Sequence, residues 1–404
     1  MSTTIIAEKM VFGGDCLAKI DGKNVFVPYA VPGEKLEIET VESRKDYDIA
    51  KIVNIVEPSP KRITPECPYY QKCGGCNLMH IDYDFQVELR KKILSDCFEK
   101  YRIEIPEIEC VTSQNTLYRS RFQLHDGALE ERHSNEKIYI DHCVIADEAV
   151  NACFASVKAT DRPKGRCHIF GSKCAEPELS VSIPHEKNRE EKKGGKNNKK
   201  LKHYIRPKYA GNIIDPSTCV TVNILDKKLS FDVQGFFQSN IKMLEKTVKL
   251  VTDGLSGQNV LDMYSGCGTF SVFLEDKFNH LTLVEHNRAA LVFAEQNLKL
   301  KNHDSYGLSG EKWVKENAES VIKQNGPFDA VVIDPPRSGM EKAVLDYLCR
   351  TKPLRIRLLS CDPVTNVRDL KFLVEAGYKI KRVFLLDFYP QTSHIESLCY
   401  LESE

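Results

Sequence analysis

From about residue 239 to the end of the chain, short apolar segments alternate with segments of helical character. The apolar segments include NVLDMY, LTLVEH, FDAVVIDPP and RIRLLSCDP, and the segments between them carry apolar residues at helical spacing. Strands that alternate with helices form a parallel sheet covered by helices on both faces. The chain is therefore predicted to be an α/β protein with a doubly wound domain in residues 233–404.

The segment VLDMYSGCGTF (260–270) runs from a strand through a glycine-containing loop into a helix. Gly266 and Gly268 let the backbone pass close to a ligand, but the third glycine of the dinucleotide fingerprint is missing. Glu285 ends the next strand, where a carboxylate can accept both ribose hydroxyls, and Asp334 ends a later strand in DPP. This pattern predicts a site for S-adenosylmethionine rather than for a nicotinamide cofactor.

Cys361, in LLSCDP, is predicted to lie at the same carboxyl edge of the sheet. A thiol there can be a simple packing residue, but beside a methyl donor it has a specific use. A thiolate that adds to C6 of uracil makes C5 nucleophilic enough to attack a methyl group, and a base must then remove the C5 proton. His394 and Glu396 in HIES are both candidates, because alternate residues of a strand face the same way.

The bulk composition limits the classes of protein that this chain can represent. Its 57 lysines and arginines are balanced by 57 aspartates and glutamates, so net charge alone makes no case for nucleic-acid binding. The N-terminus lacks the long apolar core of a signal peptide, and no apolar run approaches the ~20 residues of a membrane span. We expect a cytoplasmic protein with no membrane partner, whose 15 cysteines indicate metal binding or catalysis rather than disulfides.

The region before residue 233 divides into several segments. Residues 1–57 contain five short, β-branched segments separated by turn residues, which predicts a small all-β barrel of the OB kind. A proline-rich linker follows, and residues 82–101 predict an amphipathic helix that could pack on the C-terminal domain. Residues 110–232 read as strands and loops. The lysine- and arginine-rich segment 187–208 is either a solvated hairpin tip or a contact to an RNA backbone.

The stretch CPYYQKCGGC contains Cys67, Cys73 and Cys76. Structural zinc sites usually show two CxxC pairs, whereas only one is present here. The spacing also differs from the CxxxCxxC pattern of radical enzymes. A tetrahedral centre needs a fourth ligand, so a metal site, including a zinc site, and unliganded thiols both stay open at this point.

Five motifs in this order, FFQSN, LDMYSGCGTF, DPPR, SCDP and HIES, resemble the RNA uridine-5-methyltransferase family. The resemblance covers essentially the whole chain and is to the branch with a TRAM barrel and an iron–sulfur cluster. It implies a TRAM barrel in residues 1–57, a β-rich central iron–sulfur domain in residues 58–232, and a Rossmann-like class I methyltransferase domain in residues 233–404. It also implies S-adenosylmethionine-dependent methylation of uridine C5 through a covalent cysteine–C6 adduct.

The resemblance assigns roles to individual residues. The nucleophile of the SC-x-P motif falls on Cys361, and the base of the terminal HxES motif falls on Glu396. The contacts to the methyl donor fall on Gln238, Tyr264, Glu285, Asp334 and Asn317. Family members usually have asparagine after the nucleophile, where this chain has Asp362. An ionised neighbour would raise the thiol pKa and slow attack unless Arg337 or Arg368 pairs with it.

In the resembling family, three clustered cysteines and a distant fourth hold a [4Fe–4S] cluster. The fourth lies in a D-x-C segment, which Cys143 in IYIDHC matches. Cys110, Cys153 and Cys167 are the alternatives. A cluster that links residues 67–76 to residue 143 would hold the central domain together. We expect it to stabilise the domain and shape the RNA rather than to do redox chemistry.

The segment YRSRFQLH (118–125) carries Arg119 and Arg121 beside Tyr118 and Phe122. A cation with a ring suits a phosphate and a splayed base, although a plain surface strand is the alternative. The target base must leave its stack to reach a thiol.

The resemblance implies a monomer that acts on 23S ribosomal RNA. Transfer RNA as the substrate, a cytosine-5 methyltransferase, and a non-catalytic RNA-binding or assembly factor are the alternatives.

Overall fold

The computed structural model describes residues 2–132, 134–183, 216–300 and 302–403 of the 404-residue chain. The basic segment predicted over residues 187–208 lies outside the described residues. Among the helices in these ranges, none is both long enough and apolar enough to cross a lipid bilayer.

Residues 3–57 form a six-stranded sheet. Its strands are β1 (Thr3–Ile6), β2 (Lys9–Met10), β3 (Cys16–Ile20), β4 (Lys23–Val27), β5 (Lys35–Ser43) and β6 (Tyr47–Glu57). Their spatial order is β1-β5-β6-β4-β3-β2. Leu36 and Ile38 alternate into the core of this sheet, as expected for strands with one buried face. The sequence predicts five strands here, and the sixth arises because IIAEKMVF divides into β1 and β2, which pair with different partners.

The next two elements reach across to the C-terminal sheet. Helix α1 (Tyr83–Tyr101) agrees with the predicted helix and begins at Asp82, whose side chain caps it by accepting a hydrogen bond from the backbone N of Phe85 at 3.2 Å. Strand β7 (Ile108–Val111) pairs in parallel with a C-terminal strand. Residues well before position 233 thus contribute to the C-terminal layers.

Small sheets make up the middle of the chain. Its elements are β8 (Arg121–His125), β9 (Leu129–Glu130), β10 (Lys137–Ile138), α2 (Glu148–Ser156), β11 (Arg166–Gly171), β12 (Ala175–Glu176), β13 (Leu179–Ser182), β14 (Cys219–Ile224) and β15 (Lys227–Asp232). The sheets run in the orders β10-β9, β13-β11-β8 and β12-β14-β15. Phe122 and Phe154 meet edge to face in the core between β8 and α2, with ring centroids 5.5 Å apart.

An eight-stranded sheet forms the C-terminal part. Its further strands are β16 (Gly257–Met263), β17 (Phe278–Val284), β18 (His303–Tyr306), β19 (Ala330–Ile333), β20 (Arg355–Ser360), β21 (Tyr378–Leu386) and β22 (Glu396–Ser403). The order is β18-β17-β16-β19-β20-β22-β21-β7, and β22 runs antiparallel to both of its neighbours. All four residues of β19 are buried, as is typical of a central parallel strand.

Helices cover both faces of this sheet. They are α3 (Ile241–Thr252), α4 (Ser271–Leu274), α5 (Arg288–Asn297), α6 (Gly310–Glu316), α7 (Ala318–Asn325), α8 (Lys342–Thr351) and α9 (Pro363–Glu375). The strand order reverses between β16 and β19, since β17 and β18 lie on one side of β16 and the later strands lie on the other. Such a reversal opens a crevice at the carboxyl ends of the strands, where ligands bind in sheets of this type.

Candidate active site

The loop after β16 opens toward this crevice. Tyr264 has a positive φ of 65°, and its backbone N and that of Ser265 donate hydrogen bonds to the carbonyl of Val284 on β17 at 2.8 and 3.1 Å. Glu285 ties the loop to the next strand, because its carboxylate accepts a hydrogen bond from the backbone N of Gly266 at 3.0 Å. A Cβ added at Gly266 would meet no heavy atom within 4 Å. The loop is therefore held open beside a free space.

Three carboxyl groups gather at this edge. Burial raises the pKa of Asp262, a hydrogen bond from Ser271 opposes the rise, and the charges of Asp334 and Glu285 add to it, which brings the pKa to about 7. Asp334 directly follows β19, and burial followed by the charge of Glu285 raises its pKa to about 7. A cationic ligand would relieve this repulsion.

Asp262 and three of the predicted donor contacts carry polar atoms that either lack a hydrogen-bond partner or are held by one. The Oδ1 of Asp262 and the Nδ2 of Asn317 are buried without a hydrogen-bond partner among the described residues. The hydroxyl of Tyr264 donates to Glu341 at 2.5 Å, and the Oε1 of Gln238 accepts from a tyrosine hydroxyl at 3.4 Å. Acidic groups, unpaired polar atoms and open space fit S-adenosylmethionine, which carries a sulfonium, an ammonium and a polar adenosine.

Cys361 and Glu396 lie at the ends of neighbouring strands. Cys361 directly follows β20, Glu396 begins β22, and the two strands pair with Ser360 opposite Ser397. Burial and then the carboxyl groups of Glu396 and Asp334 raise the pKa of the Cys361 thiol to about 11. The structure thus brings the predicted nucleophile, the predicted base and one predicted donor contact together.

The two candidate bases differ in their surroundings. Glu396 is only 4% exposed, and burial followed by the charge of Asp334 raises its pKa well above the usual range, while Arg337 opposes the rise. His394 is exposed, and its ring lies 5.5 Å from that of Tyr389. A buried carboxyl with a raised pKa is a strong base once it has ionised.

Asp362 has a different partner from the arginines proposed for it. Its Oδ1 caps α9 by accepting hydrogen bonds from the backbone N of Val364 at 3.0 Å and of Thr365 at 2.9 Å. Arg368 instead pairs with Asp369 at 2.8 Å. The helix N-terminus therefore stabilises the negative charge beside the nucleophile, and pairing of Asp362 with Arg368 is the part of the prediction that is wrong.

Tyr389 is a residue of the site that the sequence analysis missed. Its hydroxyl donates the hydrogen bond to Gln238, and its pKa is raised by burial and then by Glu396, with Cys361 adding to the rise. The tyrosine therefore lies between the donor contacts and the predicted catalytic pair. Its place in DFYPQTSHIES, just before the HIES motif, was the available signal.

The rings of the segment 118–125 do not have the predicted role. Tyr118 and Phe122 are each 4% exposed, so neither can stack on a splayed base from its place in the core. The Arg119 guanidinium lies 4.9 Å from the ring centroid of Phe122, and its charge opposes the rise that burial causes in the pKa of both Cys143 and Tyr389. Arg119 thus lies between the cysteine stretch and the candidate active site.

The four predicted ligand cysteines come from two separate loops. Cys67, Cys73 and Cys76 lie between β6 and α1, and Cys143 lies between β10 and α2. Burial and then the thiols of Cys143 and Cys73 raise the pKa of Cys76. Burial also raises the pKa of Cys73, with the Cys67 thiol adding to the rise. The alternatives lie elsewhere: Cys110 on β7, Cys153 on α2 and Cys167 on β11.

The surroundings of these thiols allow a test of fit. Cys67, Cys76 and Cys143 pack against an apolar group of Met79, Tyr118 and Ile145. The backbone of Cys143 is held by Asn151, which accepts from its N at 2.9 Å and donates to its O at 3.0 Å. As placed, no three His, Cys, Asp or Glu side chains in the described part of the chain form a metal site. The chemistry of the donor set, four thiols in an apolar setting, fits an iron–sulfur cluster.

The charges around Cys361 predict how its thiol responds to substitution. Since the Glu396 carboxylate raises the pKa of Cys361, Glu396→Gln should lower that pKa and speed alkylation by iodoacetamide at pH 8–9 by several-fold. Arg337→Ala should slow it, because Arg337 stabilises the thiolate. Mass spectrometry of the Cys361 peptide measures both rates. Equal rates in wild type and both variants would contradict the electrostatic coupling.

The chain is similar to known RNA methyltransferases along most of its length. A family model described as tRNA (Uracil-5-)-methyltransferase matches residues 82–404. An "Uncharacterized RNA methyltransferase" from Treponema denticola is 36% identical over 430 residues, covering 97% of this chain and 96% of the relative. The 23S rRNA (uracil(1939)-C(5))-methyltransferase RlmD of Mannheimia succiniciproducens is 27% identical, covering 96% of this chain and 93% of the relative.

A solved structure also matches along nearly the full length. It is the tRNA (uracil-54, C5)-methyltransferase of Pyrococcus abyssi in complex with S-adenosyl-L-homocysteine, with a TM-score of 0.70 and 22% sequence identity. The match covers 99% of each chain. The two proteins therefore share an overall α/β fold.

Proposed function

Because the chain belongs to the tRNA (uracil-5-)-methyltransferase family, we propose that it methylates C5 of a uridine in 23S ribosomal RNA through a covalent cysteine–C6 adduct. Family membership makes the protein an S-adenosylmethionine-dependent RNA (uracil-5-)-methyltransferase. The observation that carries the adduct proposal is the proximity of the Cys361 thiol to the buried Glu396 carboxyl, beside the Asp334 of the donor pocket.

In this mechanism, the Cys361 thiolate forms a bond to C6 of the flipped uracil. The C5–C6 π electrons move toward O4, which leaves C5 as the nucleophilic carbon of an enolate. Arg337 favours the reactive thiolate, since its positive charge opposes the rise in the Cys361 pKa. S-Adenosylmethionine supplies the methyl group that C5 accepts.

Glu396 completes the reaction as the base. Its carboxylate takes the proton from C5, and the electrons of the C–H bond re-form the C5–C6 double bond. The C6–S bond breaks in the same elimination and returns the Cys361 thiolate. The raised pKa of Glu396 makes its ionised form well suited to accept this proton.

The donor pocket has a proposed role for each polar contact. Glu285 binds the ribose hydroxyls while it anchors the glycine loop, and Asp334 faces the cationic end of the donor. Asn317, with its unpartnered buried amide, binds the adenine. Gln238, oriented by its hydrogen bond from the Tyr389 hydroxyl, and Tyr264, oriented by its hydrogen bond to Glu341, line the remaining wall.

Two observations bear on the RNA class. The relative from Mannheimia is named for 23S ribosomal RNA and is similar along nearly the whole chain, which favours the ribosomal substrate. The Pyrococcus structure is named for transfer RNA, which makes transfer RNA the second candidate. Mapping 5-methyluridine in both RNA pools from cells with and without the gene decides between them: a uridine lost only from 23S RNA supports the proposal, and one lost only from transfer RNA overturns it.

We further propose that Cys67, Cys73, Cys76 and Cys143 hold a [4Fe–4S] cluster in a central domain of residues 58–232. Bound there, the cluster would fasten the loop before α1 to the loop before α2, which is a structural contribution. The six-stranded sheet of residues 1–57 would act as a TRAM barrel that docks RNA. Residues 233–404 would form the methyltransferase domain, onto which α1 and β7 pack.

The cluster proposal predicts a selective loss of iron. Cys143→Ser should remove most of the iron and sulfide of anaerobically purified protein together with its visible absorption, because a thiolate ligand is lost. The matched control is Cys153→Ser on α2, which should keep both. Zinc in place of iron in the wild type, or equal iron content in both variants, would contradict the proposal.

A further inference from the structure

Asn77, the residue directly after Cys76, is hydrogen-bonded to a segment of the candidate active site. Its Oδ1 accepts from the backbone N of Ser393 at 2.8 Å, and its Nδ2 donates to the Ser393 hydroxyl at 2.9 Å. The backbone N atoms of Asn77 and Leu78 both donate to the carbonyl of Gln391, at 3.1 and 3.0 Å. Four hydrogen bonds thus join the end of the cysteine stretch to residues 391–393.

Residues 387–395, here called the base loop, connect β21 to Glu396 at the start of β22. Tyr118, which packs against the cysteines, donates from its hydroxyl to the carbonyl of Pro390 at 2.8 Å. The Nε2 of Gln86 on α1 donates to the Oε1 of Gln391 at 2.9 Å. The base loop is therefore positioned by α1 and by the surroundings of the cysteines.

The N-terminal sheet also contacts Asn77 and Ser393. The Nδ2 of Asn77 also donates to the carbonyl of Gly13 at 2.9 Å. A Cβ added at Gly14 would lie 2.6 Å from this Nδ2 and 2.9 Å from the Cβ of Ser393. Gly14 has a φ of +93°, which disfavours any side chain there. The turn between β2 and β3 can pack this closely only because it carries glycine.

Cys361 is positioned by different elements. It directly follows β20 and precedes the cap of α9, and neither of these hydrogen-bonds to Asn77 in the described structure. The hydrogen bonds of Asn77 therefore reach the segment that leads to Glu396 and not the segment that carries the thiol.

We propose that Asn77 is a positioning residue that sets the location of Glu396 through Ser393, and so couples the cysteine centre and the N-terminal sheet to the proton-removal step. This inference rests on the proposed function, because it assigns to Glu396 the role of base. Since Ser393 lies three residues before Glu396, the loss of the Asn77 side chain frees the short segment that leads directly to the base.

The test follows the covalent enzyme–RNA adduct of the Asn77→Ala variant. Denaturing gels with end-labelled RNA measure how fast the adduct forms and how fast it resolves. Adduct formation should stay within about twofold of wild type, whereas resolution and turnover should slow by about tenfold, because a small misplacement of a reacting group is costly. Filter binding should show an unchanged Kd for RNA, and iron analysis an unchanged metal content.

The matched control is Asn279→Ala, which removes an exposed amide at the amino end of β17, opposite the carboxyl edge of the sheet, and should change neither rate. Ser393→Ala removes only the hydroxyl half of the contact and should slow resolution less than Asn77→Ala does. It also serves as the test if Asn77→Ala fails to fold. Equal slowing of formation and resolution, or unchanged resolution in both variants, overturns the inference. Absence of any adduct in the wild type, with Cys361→Ala still active, would instead refute the proposed function itself.

Discussion

Cys361→Ala is expected to abolish methyl transfer to RNA. Without the thiol, nothing adds to C6, and C5 of uracil is too weak a nucleophile to attack the methyl group. Deletion of a covalent nucleophile costs on the order of 10⁶-fold in turnover, which places the variant below the detection limit of a tritiated-methyl assay. The assay uses the protein with its natural RNA and S-adenosylmethionine, and a denaturing gel should show no covalent complex.

The control for this experiment is Cys349→Ala in the same domain. Cys349 is a half-buried cysteine of α8 whose thiol contacts the carbonyl of Phe372, away from the crevice. Its replacement should leave turnover unchanged, and both variants should bind RNA with the wild-type Kd. Full turnover by Cys361→Ala would end the covalent mechanism, whereas loss of RNA binding in that variant would show a folding defect.

The sequence predicted the α/β fold class and the enzymatic class well. The resemblance to uridine-5-methyltransferases is confirmed by the family match over residues 82–404, and the α/β fold by the 0.70 TM-score of the Pyrococcus structure. The physical reason is that the central strands of a parallel sheet are buried on both faces and are therefore visible in the sequence as continuous apolar runs, such as AVVI on β19. The carboxyl ends of such strands share one edge, so Glu285, Asp334 and Cys361 could be placed together without coordinates.

Features that depend on tertiary packing were not predictable in this way. The sequence suggested an accessible ring at Tyr118. In the structure its hydroxyl donates a hydrogen bond to the carbonyl of Pro390, and this satisfied hydroxyl allows the ring to be buried. Asp362 reads as an unpaired charge, yet the first turn of α9 supplies two N–H donors. The contact of Asn77 with Ser393 spans 316 residues of sequence, which no local pattern encodes.

Glu396→Gln is expected to trap a covalent enzyme–RNA complex that already carries the new methyl group. Cys361 can still add to C6 and C5 can still accept the methyl group, but the C5 proton has no base. Turnover should fall by about 10²–10⁴-fold, the usual contribution of a positioned general base. A denaturing gel with unlabelled RNA and a tritiated methyl donor should show label that migrates with the protein.

Three further variants make this result specific. The double variant Cys361→Ala/Glu396→Gln should give no complex, because the covalent bond needs the thiol. Glu402→Gln, at the far end of β22 in a 3.9 Å contact with Lys381, should turn over normally. If His394 were the base instead, His394→Ala would trap the labelled complex and Glu396→Gln would turn over.

Glu396→Gln should not destabilise the folded protein, so its low turnover can be assigned to the loss of the base rather than to unfolding. Because burial raises the pKa of Glu396 well above its value in the unfolded chain, ionisation of this group lowers the stability of the folded protein as the pH rises. Glutamine has nearly the same shape and no charge to desolvate, so the variant should unfold at the wild-type temperature or above it at pH 8. Thermal unfolding at pH 6 and pH 8 checks this, and the advantage of the variant should be larger at the higher pH. A variant that unfolds well below wild type at pH 8 would mean that the carboxylate is stabilised in the fold, contrary to its raised pKa.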